Sequence, residues 1–214
     1  MVVMPTYECD FKCTYCFEDF NSLEGAREGL VTPQLLLNWV EKLWHVYEFK
    51  ALRIVFYGGE PLLRKELLKN YVKVMREWGT QKGVKFSFSI ITNGALCSEE
   101  FIQDILEYGL EEMQVTIDGV KEVHDQRRPF RNGKGSFEVV YSNILRVANL
   151  AINKLVIRTN IDEHNRSRFR ELVQLLKRDG LFLKKNVVFM PALVDPSPSK
   201  PVWCNQFISK LFDK

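Results

Sequence analysis

Short, apolar, β-branched runs alternate with longer amphipathic stretches along almost the whole chain. The runs cover residues 2–4, 52–57, 85–92, 113–118, 154–160 and 187–192. Most are close to continuously apolar, as expected for strands of a parallel sheet covered by helices. Between the first two runs, Leu35, Leu36, Trp39, Val40, Leu43 and Trp44 fall at helical spacing. Thr32 is a suitable N-cap for that helix and Pro33 suits its first position. Further helices are predicted over about 64–78, 98–108, 136–151 and 167–178. The third opens on Ser98, Glu99 and Glu100, a cap followed by acidic residues that favour the positive end of the helix dipole. A last short apolar pattern occupies residues 203–212.

Read in order, these are six β–α units. Right-handed crossovers wind such units into a parallel sheet, here a partial (β/α)6 TIM-like barrel with outer helices. An open doubly wound α/β sheet satisfies the same pattern, because periodicity does not report curvature. Residues 1–194 read as one domain. Residues 195–201 contain Pro196, Pro198 and Pro201 and read as a linker, with the 203–212 helix behind it.

Composition narrows the field. The chain has 214 residues, enough to bury one sizeable core. Its formal charge of +3 is small and the basic residues are interspersed with acidic ones. Nothing therefore points to nucleic acid or to a membrane surface as partner. The first residues lack the charged start and apolar length of a signal peptide, and no stretch reaches a membrane span. A cytoplasmic protein is expected. Three of its five cysteines crowd into eight residues. In a reducing compartment that argues for metal or redox chemistry rather than a disulfide framework.

Cys9-x-x-x-Cys13-x-x-Cys16 follows the first strand directly, where a parallel α/β fold places a reactive loop. Three thiolates can hold three irons of a cubane and leave the fourth open to an exogenous ligand. Structural zinc would need a second cysteine pair, and ferredoxin spacing a fourth cysteine. Three cysteines buried as small apolar residues are the plain alternative. Their neighbours Asp10, Lys12, Thr14 and Glu18 are not core residues.

With Tyr15 as its aromatic, this loop resembles the cluster motif of the radical S-adenosylmethionine superfamily. The resemblance implies a 4Fe–4S cluster on Cys9, Cys13 and Cys16 and S-adenosyl-L-methionine as second cofactor, with Tyr15 near the adenine. It implies reductive cleavage of that cofactor to methionine and a 5′-deoxyadenosyl radical, which abstracts hydrogen from substrate. The electron would come from an external donor such as flavodoxin or ferredoxin.

Later motifs extend the likeness. Gly58-Gly59-Glu60-Pro61 ends the second strand. Alone it is an ordinary turn whose glycines allow close backbone approach. It is similar to the family's Gly-Gly-Glu-Pro, which implies that Glu60 and the Gly58 and Gly59 backbone hold the methionine ammonium. Thr92 and Asn93 of Ile91-Thr92-Asn93-Gly94 would face the same site. Thr116, in Val115-Thr116-Ile117-Asp118-Gly119, stands where the family has serine and keeps a hydroxyl for the methionine carboxylate.

His124-Asp125-Gln126-Arg127-Arg128-Pro129 reads by itself as a charged, solvated loop leading to a helix capped by Ser136. With Gly133-Lys134-Gly135-Ser136-Phe137 it resembles radical enzymes that modify proteins and peptides. Arg128 would then pair with the methionine carboxylate, a task suited to a guanidinium fork; Arg127 offers the same group one residue away. Arg158 or Asn160 on the fifth strand would enter the cavity, or else form a structural salt link. Cys97 reads as a structural thiol. Val188 to Pro191 could offer apolar packing to adenine, with core packing the plainer reading.

The resemblance points to sulfatase-maturing enzymes and to maturases of ribosomally made peptides, hence to a protein or peptide substrate. Those enzymes usually carry a cysteine-rich C-terminal extension, the SPASM domain. Here Cys204 is the sole later cysteine. A fragment, a minimal one-cluster enzyme and an inactive paralogue are each compatible with that, as is an iron–sulfur electron-transfer or sensing module.

Overall fold

The structure, a computed structural model, describes residues 1–16 and 31–194. The linker and final helix expected over 195–214 lie outside the described residues, as does Glu18. Six strands, β1 (Val2–Val3), β2 (Ala51–Phe56), β3 (Lys85–Thr92), β4 (Leu110–Thr116), β5 (Lys154–Ile161) and β6 (Val187–Leu193), form one sheet. Their spatial order is their sequence order, and every neighbouring pair is parallel. A doubly wound sheet reverses direction at a switch point in its strand order. No reversal occurs, so the partial-barrel alternative is the one realised.

Helices α1 (Pro33–Tyr47), α2 (Lys65–Lys82), α3 (Glu99–Leu106), α4 (Lys121–Arg127), α5 (Phe137–Val147) and α6 (Phe169–Arg178) follow the strands. Thr32 caps α1 as expected: its hydroxyl accepts from the Leu35 amide at 3.1 Å, worth about 1 kcal/mol. Ser98 and Ser136 make no such bond. The α5 start is capped instead by Asp125, whose carboxylate accepts from the Phe137 amide at 2.7 Å.

One face of the sheet is the core. Ile54, Phe56, Phe88, Ile90, Met113, Leu155 and Ile157 are fully buried, together with Val40, Leu68, Met75, Ile102, Ile105, Ile144 and Leu172 from the helices. Truncating any of these to alanine would cost about 2–5 kcal/mol. The other face alternates with it and sets polar residues among Val55, Ile91 and Val156. Arg53 and Ser87 pair in register, as do Ser89 and Glu112, and Thr116 and Arg158. At the foot of that face Arg53 donates to Ser89 at 2.7 Å and Lys154 to Glu112 at 3.0 Å. The helices thus bury the outside of a curled sheet, and the polar inside leads up to the strand ends. No helix among the described residues is long and apolar enough to cross a membrane.

Two readings change here. Residues 121–127 are a helix, not a solvated loop, and His124 on it is completely buried. The inward side of α4 is made by His124 and Arg127 beside Val123, so apolar periodicity could not reveal it.

Candidate active site at the strand ends

The loops after β1 to β5 converge on the cysteine segment. Gly58 and Gly59 let it approach. The Gly59 amide donates to Thr6 O at 3.2 Å and the Glu60 amide to Glu8 O at 2.7 Å. A Cβ on Gly59 would lie 2.1 Å from Glu8 O, and Gly58 has φ +122°. Only glycine fits both demands.

Glu60 is fully buried. Its carboxylate accepts from the Leu62 amide at 2.9 Å, the Thr92 hydroxyl at 2.7 Å and the Asn93 amide at 2.7 Å. Burial pushes its pKa up to about 7, against the pull of those three donors. Asn93 extends the brace by donating to Asp10 at 2.6 Å. Glu60, Thr92 and Asn93 are therefore brought together, joined to one another and to the cysteine loop.

On its other side the loop pairs with the chain after α4. The Arg131 amide donates to Asp10 O at 2.8 Å, Lys12 to Pro129 O at 2.9 Å and Thr14 to Arg127 O at 2.9 Å. Phe11 and Phe130 form an antiparallel bridge between them. Cys9 and Cys13 are half-buried and Cys16 is exposed; none is in a disulfide. The Phe11 amide donates to Cys9 Sγ at 3.4 Å. Burial pushes the Cys9 thiol up to about 12, with Glu60 and Asp10 adding to it, and burial raises Cys13 as well. Such thiols stay protonated at neutral pH unless a cation in the loop draws the proton off, as a metal does. Among the described residues no three His, Cys, Asp or Glu side chains close on a single ion. A cubane asks something different of the loop, one thiolate for each of three irons.

The two arginines separate cleanly. Arg127 Nη1 lies 2.8 Å from both oxygens of Asp162, and its Nε lies 3.6 Å from Asp118. Its charge is matched. Arg128 is equally buried and donates to the Tyr15 hydroxyl at 2.5 Å; the Nε atoms of both arginines are buried without a hydrogen-bond partner. No carboxylate stands within ion-pair distance of it among the described residues. Asp118 acts on it across the shared Tyr15 hydroxyl, and an anion in the site would add a direct partner for its fork. Thr116 is buried at the end of β4. Arg158 is half-buried and donates to Asn160 at 2.8 Å, and among the described residues it forms no salt link, the alternative to a place in the cavity.

Asp118 joins these parts, a role that sequence reasoning did not assign. One carboxylate oxygen accepts from Tyr15, the other from the Asn160 amide at 2.9 Å. Its own amide donates to His124 Nδ1 at 3.2 Å. His124 Nε2 then carries the proton toward Ser136, 3.0 Å away, and Ser136 donates to Arg128 O at 2.6 Å. Burial and the nearby arginines hold His124 well below its ordinary pKa, so the ring is neutral. The His-Asp-x-x-Arg and Gly-x-Gly-Ser-Phe motifs are thus one set of mutual contacts. The available signal was a carboxylate placed directly after an apolar strand.

A curled parallel sheet with three thiols in its first rim loop, and a buried guanidinium beside them, defines an α/β barrel whose rim offers thiols and a cationic fork to a ligand. The chain belongs to the Radical SAM superfamily, whose family model matches residues 3–176. It is 26% identical over 222 residues to the cysteine-type anaerobic sulfatase-maturating enzyme of Clostridium novyi, covering 100% of this chain and 58% of that protein. Among solved structures, anSMEcpe with bound AdoMet superposes with a TM-score of 0.78 at 21% identity, over 99% of this chain and 59% of that one. The same enzyme is also known with AdoMet and the Cp18Cys peptide, TM-score 0.76 at 21% identity, over 100% of this chain and 58% of that one. The methyltransferase TsrM from Kitasatospora setae, with cobalamin and a [4Fe-4S] cluster bound, gives 0.64 at 14% identity, over 89% of this chain and 34% of that one. The chain thus spans a little over half the length of the sulfatase-maturing relatives.

Proposed function

We propose that this chain is the catalytic core of a radical S-adenosylmethionine enzyme acting on a protein or peptide. Cys9, Cys13 and Cys16 would hold a 4Fe–4S cluster, and Arg128 would take the methionine carboxylate. The observation that carries this reading is Arg128 itself: buried beside the cysteine loop, bonded to Tyr15, and with no carboxylate within ion-pair distance among the described residues.

When bound, the cluster supplies one-electron reduction of S-adenosylmethionine to methionine and a 5′-deoxyadenosyl radical. The protein's own residues bind, orient and exclude water. Thr116 adds a hydroxyl next to the carboxylate. Glu60 braces the second and third loops; a ligand ammonium beside it would favour its ionised form. The Gly58 and Gly59 backbone, with Thr92 and Asn93, would line the cofactor's amino side, Tyr15 its adenine side and Arg158 the inner wall. The peptide seen with anSMEcpe supports a peptide substrate. Delivery of the electron by a flavodoxin- or ferredoxin-like donor and a reducing, cytoplasmic setting belong to the same reading.

Anaerobic reconstitution tests the site. The reduced protein should bind close to four irons per chain, and its EPR spectrum should change when S-adenosylmethionine is added. A spectrum indifferent to S-adenosylmethionine at full iron loading would count against the reading.

A further inference from the structure

S-adenosylmethionine carries a single carboxylate, and Arg128 is enough to take it. A second guanidinium stands on the inner face of the sheet. Arg158 lies between Ile157 and Thr159, both fully buried on the outer side, and so faces the inside of the curl. It is half-buried and pairs in register with Thr116 on β4 and Met190 on β6. Its Nε donates to Asn160 Oδ1 at 2.8 Å, and its two terminal nitrogens have no partner among the described residues. Gln114, two residues below Thr116 on the same face, is half-buried, and its side-chain amide likewise has no partner among them. The wall around this pair is apolar: Ile91 and Val156 flank Gln114, and Val188 and Met190 follow on β6.

The acids of this face are engaged elsewhere. Glu112 is matched by Lys154 at 3.0 Å and pairs with it in register, four residues below Arg158. At the strand rise that is about 13 Å away. Glu111 stands 3.8 Å from Arg53. At the rim, Asp118 and Asp162 are matched by Arg127.

We propose that Arg158, assisted by Gln114, takes a carboxylate of the substrate, so that the chamber selects a peptide presenting an acidic side chain or a free C-terminus. The proposal rests on the reading above, in which Arg128 holds the carboxylate of the cofactor. A substrate that fills the chamber displaces its water and desolvates the free donors of Arg158 and Gln114. A planar carboxylate meets the fork with two parallel bonds. A site of this kind discriminates by rejecting the analogue that lacks the partner group, because its own polar atoms are then left unpaired.

The probes are acetyl-Ala-Glu-Ala-amide, its Gln counterpart, and acetyl-Ala-Ala-Ala with a free C-terminus. Binding to the reconstituted protein is followed by ligand-observed NMR, with and without saturating S-adenosylmethionine. Wild type should bind one of the two carboxylate peptides about 10- to 100-fold more tightly than the Gln peptide, as charge-assisted bonds imply. The tighter of the two identifies the source of the carboxylate. R158Q should bind all three alike. Should R158Q not fold, R158K and Q114L carry the same test, each expected to narrow the preference severalfold. Equal affinity of wild type for all three peptides overturns the proposal, and so does a carboxylate preference that survives these substitutions. A loss of S-adenosylmethionine affinity in R158Q as large as its loss of peptide affinity would overturn it too, by assigning Arg158 to the cofactor. The preference is also read without S-adenosylmethionine. A wild type that loads iron but never responds to the cofactor would sink the functional reading and leave the peptide result standing.

Discussion

Arg127 and Arg128 are adjacent, equally buried and chemically identical, yet the structure gives them opposite tasks. Arg127 neutralises Asp162 and Asp118, so its removal leaves the buried Asp118 and the half-buried Asp162 without their cation, each keeping an amide donor. R127A should lower folding stability by about 3–5 kcal/mol in urea titrations. Arg128 lacks such a partner among the described residues. R128K keeps a charge but loses the planar fork, and should weaken S-adenosylmethionine binding by about 10- to 100-fold in equilibrium dialysis, with iron loading unchanged. Equal loss of affinity in a folded R127A and in R128K would refute the division.

Glu60 makes a prediction about pH. Its pKa, about 7, lies above the ordinary 4.5, so within that window the folded protein holds a proton that the unfolded chain releases. Stability from this group is full below 4.5 and is lost as pH rises toward 7, by at most about 1.4 kcal/mol per pH unit. His124, depressed by burial, has the opposite slope. The difference between wild type and E60Q isolates Glu60: it should shrink from pH 5 to pH 7 in the cofactor-free protein, and a difference that grows would contradict the assignment.

At the scale of elements, the strands were legible because β-branched and apolar residues mark them, and their rim motifs were legible because chemistry repeats at fixed offsets from strand ends. The α1 start was legible too, since Thr32 and Pro33 act locally. Helix α4 was not. It is seven residues long and buries an imidazole and a guanidinium, groups whose burial depends on Asp118, Ser136 and Asp162, partners 6, 12 and 35 residues away in sequence. The same long-range dependence hid Asp118. The loops after β1 and β2 make a further prediction. G59A would place a methyl 2.1 Å from Glu8 O, forcing the two loops apart. Iron loading should fall sharply while stability drops only about 1–3 kcal/mol; full loading in G59A would show that the close approach is dispensable.

At the scale of the molecule, sequential parallel order settles the barrel-like winding that periodicity left open. That winding gives one chain two unlike surfaces, an outer apolar face under helices and an inner polar face leading to the rim. The sheet's core and the site's chemistry are therefore separate problems in the sequence: hydrophobic spacing encodes the first, and a few residues at strand ends encode the second. The two meet in the proposed reaction, cleavage of S-adenosylmethionine at this rim. Anaerobically reconstituted protein, given S-adenosylmethionine and a strong one-electron reductant, is assayed by liquid chromatography and mass spectrometry for 5′-deoxyadenosine. Wild type should form it together with methionine, and C13A should form none. A fully loaded wild-type cluster that accepts the electron yet yields no 5′-deoxyadenosine would contradict the account and leave an electron-transfer module in its place.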